Sequence, residues 1–556
     1  MRWLPLLFTI LISITSVAGA DPVSITEFCP DPYLRDDPDE YLVLSGHGPL
    51  DGISVSDGES GFRFPPGTMI AGTLTLARDG LAFSKSHGSL PDFEWQDSTP
   101  AVPNLISTKV LRMANTNDSL MLYRNGQLAQ QVSWPADVRS REGQVHFLEG
   151  DVWDPRVLML GQSRFSPSEF RNVTVTTFVS PDCSDAVFES FIAGSRRSIR
   201  LNVYEFSSPT MVKSLARART RGVDVYMLVE GGPVGGIGSA EKAALWQVNQ
   251  SGIPVYAMSS SKDTHAPYRF DHAKYVVIDD NDVMVVSENF KYSGFAPSGM
   301  TGNRGWGVVM TDSGVATYFA QVFDTDLQSP AIIPYTGIPG SSEDAPAEKH
   351  AVEFTPQKFT GATVHPVLAP DTSYLITKLI DSAGTSIDIE EAYITNETKF
   401  RLNPYLASAI NASRRGVRVR ILLDSYWYNV DGKADNDELV MLINDIAATE
   451  HLTLEARCAP LRENQIEKIH NKGVIVDKSR VLVSSINWNS NSPHFNREAG
   501  VIIDHPGVAG YFSRVFEDDW NPAVKSPGGV IDPLKITLTL IVIGALMGYW
   551  YFRKRR

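Results

Sequence analysis

The chain has 556 residues, with 50 Lys and Arg against 64 Asp and Glu, for a formal net charge of −14. Its 43% hydrophobic and 21% charged residues are ordinary globular proportions, which exclude a disordered chain, a collagen-like fibre or a multi-span transporter as descriptions of the whole. Setting aside the basic residues Arg553, Lys554, Arg555 and Arg556 leaves −14 − 4 = −18, a poor partner for bulk nucleic acid, whose binding rests on counterion release by Lys and Arg.

Residues 1–20 predict a secretory signal. Arg2 precedes an apolar run from Leu4 to Ile14, and Ala18, Gly19 and Ala20 supply the small residues an export peptidase reads. Residues 21–135 predict an all-β sandwich, with alternating runs at Glu40 to Leu44 and Leu120 to Tyr123 separated by turn signals at Asp57-Gly58, Pro65-Pro66-Gly67 and Asn125-Gly126. No catalytic cluster of His, Asp or Ser stands out there. Residues 136–173 read as a connector.

From about Thr174 strands and helices alternate, and they do so twice, over 174–336 and 361–522, with a Pro/Ser/Glu-rich linker at 337–360. Ser180-Pro181-Asp182 recurs as Ala369-Pro370-Asp371. The stretch from Arg221 to Val225 recurs as Arg415 to Val419, each with a Gly placed to end a helix before a buried strand. Residues 536–552 are uncharged and predict a single membrane span, with Trp550 and Tyr551 at its end; the basic tail 553–556 places that end in the cytosol. The expected location is therefore a cell membrane, with the duplicated region on the extracytoplasmic side. Cys29, Cys183 and Cys458 are too few for a disulfide scaffold and have no metal-site spacing. Sequons at Asn117, Asn172, Asn249, Asn396 and Asn411 are compatible with export.

Each copy delivers one set of chemical groups. The first holds His272, Lys274 and Asp279, then Ser287-Glu288-Asn289; the second holds His470, Lys472 and Asp477, then Ser485-Ile486-Asn487. Residues two apart on a strand share a face, so His and Lys project together, as do Ser and Asn. The Asp lies an odd number of positions beyond its His, which makes Asp279 and Asp477 orienting or structural. Lysines donate to anionic oxygens, and Ser and Asn add neutral donors, so Ser287, Asn289, Ser485 and Asn487 are candidate phosphate ligands. Two imidazoles can serve as nucleophile and general acid in attack at a phosphodiester. No carboxylate cluster that would seat a cation accompanies them, so the chemistry calls for no metal or other cofactor.

This doubled H-x-K-x4-D pattern with S-x-N resembles the phospholipase D superfamily over residues 174–522. The stretch from Ile25 to Thr68 resembles the lamin-tail domain, an immunoglobulin-like module, which implies a binding or spacing role with no known partner. The superfamily resemblance implies an α/β fold of two repeats about a pseudo-two-fold axis, one active site between them, and a covalent phosphohistidine resolved by water or an alcohol. It also implies that Glu498 orients an imidazole. The first copy has Gly305 at the matching position, so His470 is expected to pair with Glu498 while His272 draws on Glu205, Glu230 or nothing. His272 is read as nucleophile and His470 as acid.

The favoured function is a membrane-anchored phospholipase D-like phosphodiesterase that hydrolyses or transfers phosphatidyl groups. The alternatives are an extracellular nuclease of the same superfamily and a catalytically weak surface binding protein, for which Gly305 is the one argument. Tyr426, Trp427 and Tyr428 are read as core packing. Because neither half-site suffices, His272→Ala and His470→Ala should each abolish turnover in the presence of a chelator. Substantial activity in both single variants would contradict a shared site.

Overall fold

Short alternating strands and tight turns build the first part of the chain in the computed structural model, which describes residues 22–522 apart from 135–139, 150–151, 155, 263, 399 and 433–434. The segments read as signal (1–20), membrane span (536–552) and basic tail (553–556) lie outside the described residues. Among the described residues no helix is long and apolar enough to cross a membrane.

One sheet runs in the order Val152–Trp153, Gln144–Glu149, Ser24–Cys29, Tyr41–Pro49, Met69–Ala77 and Phe93–Glu94. The other runs Ile106–Lys109, Gly61–Arg63, Ile53–Ser56, Asp118–Arg124 and Gln127–Trp134. Leu44 and Leu76 of the first sheet share one apolar core with Val55 and Leu122 of the second, because alternate residues of each strand face inward. Asn125 and Gly126 both adopt positive φ, 51° and 76°, the hairpin geometry that this residue pair favours. The stretch 136–173, expected as a connector, instead carries strands of the first sheet. Gln144–Glu149 pairs with Ser24–Cys29, and Leu158–Met159 pairs back onto it. Val145 and Phe147 alternate inward to meet Cys29, Tyr41 and Leu158 in a small second core.

Beyond this region lies one mixed sheet of fifteen strands. From the outer edge of the first repeat it runs Ile332–Pro334, Val255–Met258, Asp224–Glu230, Ser198–Val203, Lys274–Ile278, Asp282–Val286, Gly305–Thr311 and Phe170–Ser180. It continues unbroken as Gln357–Ala369, Glu498–Asp504, Arg480–Ser484, Lys472–Val476, Ser386–Glu391, Arg418–Leu423 and Leu454–Cys458. Apart from the edge strand Ile332–Pro334, the second half mirrors the first strand for strand, the order a pseudo-two-fold axis produces. The axis passes between Phe170–Ser180 and Gln357–Ala369, where Val173 pairs with Ala362. Their offset, 362 − 173 = 189, equals that between Pro181 and Pro370. Equivalent residues therefore meet each other.

In each repeat a helix (Pro209–Thr220, Pro404–Arg414) connects two parallel strands, and Gly222 and Gly416, at φ 91° and 94°, follow its end as expected. Helices Ser313–Leu327 and Pro506–Trp520 cover the middle of the sheet. There Val175, Tyr275, Trp306 and Phe319 of the first repeat join Ile475, Val501 and Phe512 of the second in one core. Trp306 stacks on Phe512 across the boundary, with centroids 4.7 Å apart. Trp306→Ala should cost about 3–5 kcal/mol of stability in denaturant unfolding, with both repeats lost in a single transition. Separate transitions for the two repeats would contradict the shared core.

Candidate active site

Two arginines, both essentially fully buried, anchor the ends of the strands from which the site is built. Arg304 donates to Asp182 (2.7 Å) of its own repeat and to Asp519 (2.8 Å) of the other. Arg497 does the same, with Asp371 (3.0 Å) from its own repeat and Asp326 (2.7 Å) from the other. Burial works against ionising Asp182, but the Arg304 guanidinium, the His350 ring and the Glu353 N–H together outweigh it and hold the carboxyl well below its ordinary range. The Pro-Asp pairs 181–182 and 370–371 and the Asn-Arg pairs 303–304 and 496–497 are therefore one device, made twice.

The main chain beside each arginine positions the histidine of the opposite repeat. The His272 N–H donates to the Arg497 carbonyl (2.8 Å) and the Arg497 N–H to the Phe270 carbonyl (2.9 Å). Symmetrically, the His470 N–H donates to the Arg304 carbonyl (2.9 Å) and the Arg304 N–H to the Lys468 carbonyl (2.8 Å). The loop before each H-x-K strand is thus stitched to the other repeat.

The carboxylate pairings differ from those expected. His272, not His470, meets Glu498, with Nδ1 at 2.8 Å from Oε2. Glu498 is held in turn by the Ser485 hydroxyl (2.6 Å) and the Asn496 amide (3.0 Å). A carboxylate oxygen accepts, so Nδ1 of His272 carries the hydrogen and Nε2 presents its lone pair. Glu205 and Glu230 serve elsewhere: Glu205 accepts from the Asn289 amide and lies 3.6 Å from Lys291, and Glu230 accepts the N–H groups of Asp271 (2.6 Å) and Gly232 (2.7 Å).

His470 instead faces Glu288, with Nδ1 3.3 Å from Oε2 but off the axis of a hydrogen bond. Glu288 was legible in the S-E-N motif but carried no expected role. Burial pushes its carboxyl up to about 7, with Asn303, Lys472, Lys468 and Lys274 pulling the other way.

The two lysines complete the site. Lys274 Nζ donates to the His272 carbonyl (2.8 Å) and lies over the Tyr204 ring, and Lys472 Nζ donates to the His470 carbonyl (2.5 Å). Burial pushes Lys274 down to about 7 and Lys472 to about 8. Opposite Lys472 on the neighbouring strand stands Glu391, whereas Val203 stands opposite Lys274; Glu288 and then Glu391 oppose the fall at Lys472. Burial, then the lysines, also depress both imidazoles, although Glu498 opposes the shift at His272. His272 is among the groups that depress His470, so the two rings share one electrostatic environment.

The serines are a correction. Ser287 and Ser485 are fully buried, and their hydroxyls accept the N–H groups of Trp306 and Ala499 at 3.0 Å each. They sit behind the site and brace it instead of reaching a phosphate. Asn289 and Asn487 each keep a buried Oδ1 without a hydrogen-bond partner. Asp279 and Asp477 each bind main-chain N–H groups of their own repeat. Asp279 accepts the N–H groups of Arg196, Arg197 and Ser198, and Asp477 those of Gly384, Thr385 and Ser386, all at 2.7–2.9 Å. Tyr426 to Tyr428 are also not core: Trp427 is 64% and Tyr428 46% exposed, and the Lys468 ammonium donates to the Tyr428 hydroxyl at 2.8 Å.

The lysines carry their charge below about pH 7–8 and lose it as pH rises through that range. For an anionic diester, kcat/KM should therefore fall progressively above about pH 7, because this parameter reports the free enzyme. A profile flat to pH 9 would contradict phosphate capture by Lys274 and Lys472.

The family model described as cardiolipin synthase, PLD-like domain, matches residues 188–327 and 376–520. Among solved structures, the phosphatidylserine synthase of Haemophilus influenzae Rd KW20 is similar at 14% identity over 67% of this chain and 93% of that one, with a TM-score of 0.46. The phospholipase D family member Nuc of Salmonella typhimurium is similar at 25% identity over 31% of this chain and 99% of that one, with a TM-score of 0.25. Comparison with curated proteins finds no match. The two matched stretches cover just over half of the chain, one in each half of the fifteen-stranded sheet, and the chain belongs to this PLD-like, cardiolipin synthase-type domain family.

Proposed function

We propose that this protein is an exported, membrane-anchored phosphodiesterase that hydrolyses or transfers phosphatidyl groups through a covalent phosphohistidine. The observation that carries the chemistry is the shared, buried site with two imidazoles, each facing a carboxylate from the opposite repeat, and two lysines beside them. His272 Nε2 attacks phosphorus in line as the bond to the leaving oxygen breaks, and protonated His470 gives its Nε2 proton to that oxygen. Water or an alcohol then attacks phosphorus as the phosphorus–nitrogen bond breaks, with His470 taking the proton of the attacking hydroxyl and His272 released. Lys274 and Lys472 neutralise the non-bridging oxygens, and Asn289 and Asn487 add neutral contacts. Binding of the anionic diester beside His470 raises its proton affinity and makes it the acid.

The lipid reading draws on three features: the segments 1–20 and 536–552, the acidic body, and the exposed Trp427–Tyr428 pair beside Lys468. Indole and phenol rings suit the headgroup layer, where one edge is apolar and the other wet. The first β-rich region, resembling the lamin-tail domain, acts in this reading as a spacer or binding module. It rests on the repeats through Tyr33 stacked on His265 (4.0 Å) and Arg156 donating to the Asp371 carbonyl (2.6 Å).

The full chain, with and without His470→Ala, should be offered phospholipid vesicles and plasmid DNA in parallel, in chelator. The expected result is release or exchange of a lipid headgroup, lost in the variant, with DNA intact. Cleavage of DNA alone would replace the lipid reading by a nuclease. Trp427→Ala should lower vesicle turnover about tenfold, by analogy with loss of an interfacial aromatic anchor, while sparing a soluble diester.

A further inference from the structure

We infer that the first repeat carries its histidine-orienting carboxylate at a transposed position, in the loop at 288 instead of the strand start at 305, and that Glu288 is the positioning residue of His470. The two repeats read as complements. Ser287-Glu288-Asn289 faces Gly305 in one, and Ser485-Ile486-Asn487 faces Glu498 in the other. Each repeat therefore supplies one carboxylate, from one position or the other.

The geometry shows that both positions address the same volume. A Cβ placed on Gly305 would lie 2.4 Å from both Cγ and Oε1 of Glu288, closer than any side chain tolerates. Gly305 is thus the vacancy that the transposed carboxylate requires, and no loss of activity need be read from it. The seat is otherwise the same. Asn303 Nδ2 donates to Glu288 Oε2 at 3.0 Å, as Asn496 Nδ2 donates to Glu498 Oε1 at 3.0 Å. Each carboxylate then faces the histidine of the other repeat.

The transposition is not silent. Glu498 takes both the Ser485 hydroxyl and the His272 ring in short hydrogen bonds, whereas Glu288 keeps Oε1 buried without a partner and meets His470 at a longer, off-axis distance. Lys472, Lys468 and Lys274 act on the Glu288 carboxyl electrostatically, and His470 faces it at 3.3 Å. A loosely held imidazole suits the histidine that must give and take a proton, and a tightly held one suits the nucleophile. Hydrogen bonds of this kind often tighten only when substrate binds.

The kinetic part of this inference rests on the proposed chemistry; the positioning part does not. The test uses the full chain labelled with 15N-histidine and four forms: wild type, Glu288→Ile, Glu288→Leu, and the double variant Glu288→Ile with Gly305→Glu, which copies the second repeat. Ring-nitrogen NMR reports which His470 nitrogen carries the hydrogen, and bis(p-nitrophenyl) phosphate reports kcat. In wild type Nδ1 of His470 should carry the hydrogen. Either single variant should shift it to Nε2 and lower kcat about 100-fold, a typical contribution of acid–base catalysis. The double variant should restore both readouts. A folded single variant with unchanged His470 nitrogens would overturn the inference, as would a folded double variant that recovers neither. If wild type shows no turnover lost in His470→Ala, the chemical reading falls, while the ring-nitrogen signals still decide the role of Glu288.

Discussion

The site depends on two buried guanidinium groups, each shared between an aspartate of its own repeat and an aspartate on a helix of the other. A buried charge without a partner is costly, and breaking such a pair by removing one member typically costs 3–5 kcal/mol. Neither repeat can satisfy its arginine alone, because Asp519 belongs to the second repeat and Asp326 to the first. The same arginine backbones receive the histidine N–H groups of the opposite repeat. One constraint therefore fixes both the union of the repeats and the positions of the imidazoles.

The second constraint is electrostatic. A chain of net charge −14 holds its two lysines in a buried pocket where desolvation depresses both and only nearby carboxylates restore part of the charge. Such a pocket favours an anion that brings its own charge and sheds its water, because that charge offsets the desolvation of the ammonium groups. Glu391 beside Lys472, with Val203 in the matching place beside Lys274, makes the two halves unequal. The unequal carboxylate contacts at His272 and His470 add to that difference. A two-fold arrangement of backbone thus carries a site with two distinct ends.

Much of this was legible in the residues. The duplication was legible from its recurring motifs. Strand alternation does not place the site residues, because His272, Asp279, Ser287 and Asn289 lie beyond the ends of strands Lys274–Ile278 and Asp282–Val286, with Asp279 and Asp477 in turns at φ 56° and 52°. The all-β start was legible from its turns, but the strands at Gln144–Glu149 and Leu158–Met159 were not: Gln144–Glu149 pairs with Ser24–Cys29 more than a hundred residues away, and the two-residue strand Leu158–Met159, which pairs with Gln144 and Val145, is too short to show a period. The crossing of carboxylates between repeats was hidden for a related reason. Glu498 lies closer in sequence to His470, and only the pairing of sheet halves about the axis brings it to His272. Glu288 was visible and mute, because its meaning depends on Gly305 leaving room for it. The buried serines misled because a hydroxyl that can bind phosphate can equally brace a strand.

The central claim is that one site spans both repeats and that the firmly held His272 is its nucleophile. The most direct measurement is mass spectrometry of the full chain quenched at alkaline pH during turnover of bis(p-nitrophenyl) phosphate, with the phosphorylated peptide identified. The account predicts the adduct, a phosphoryl group that keeps one p-nitrophenyl ester, on the peptide that contains His272. A phosphoryl group on the His470 peptide, or turnover with no phosphohistidine at either position, would contradict it.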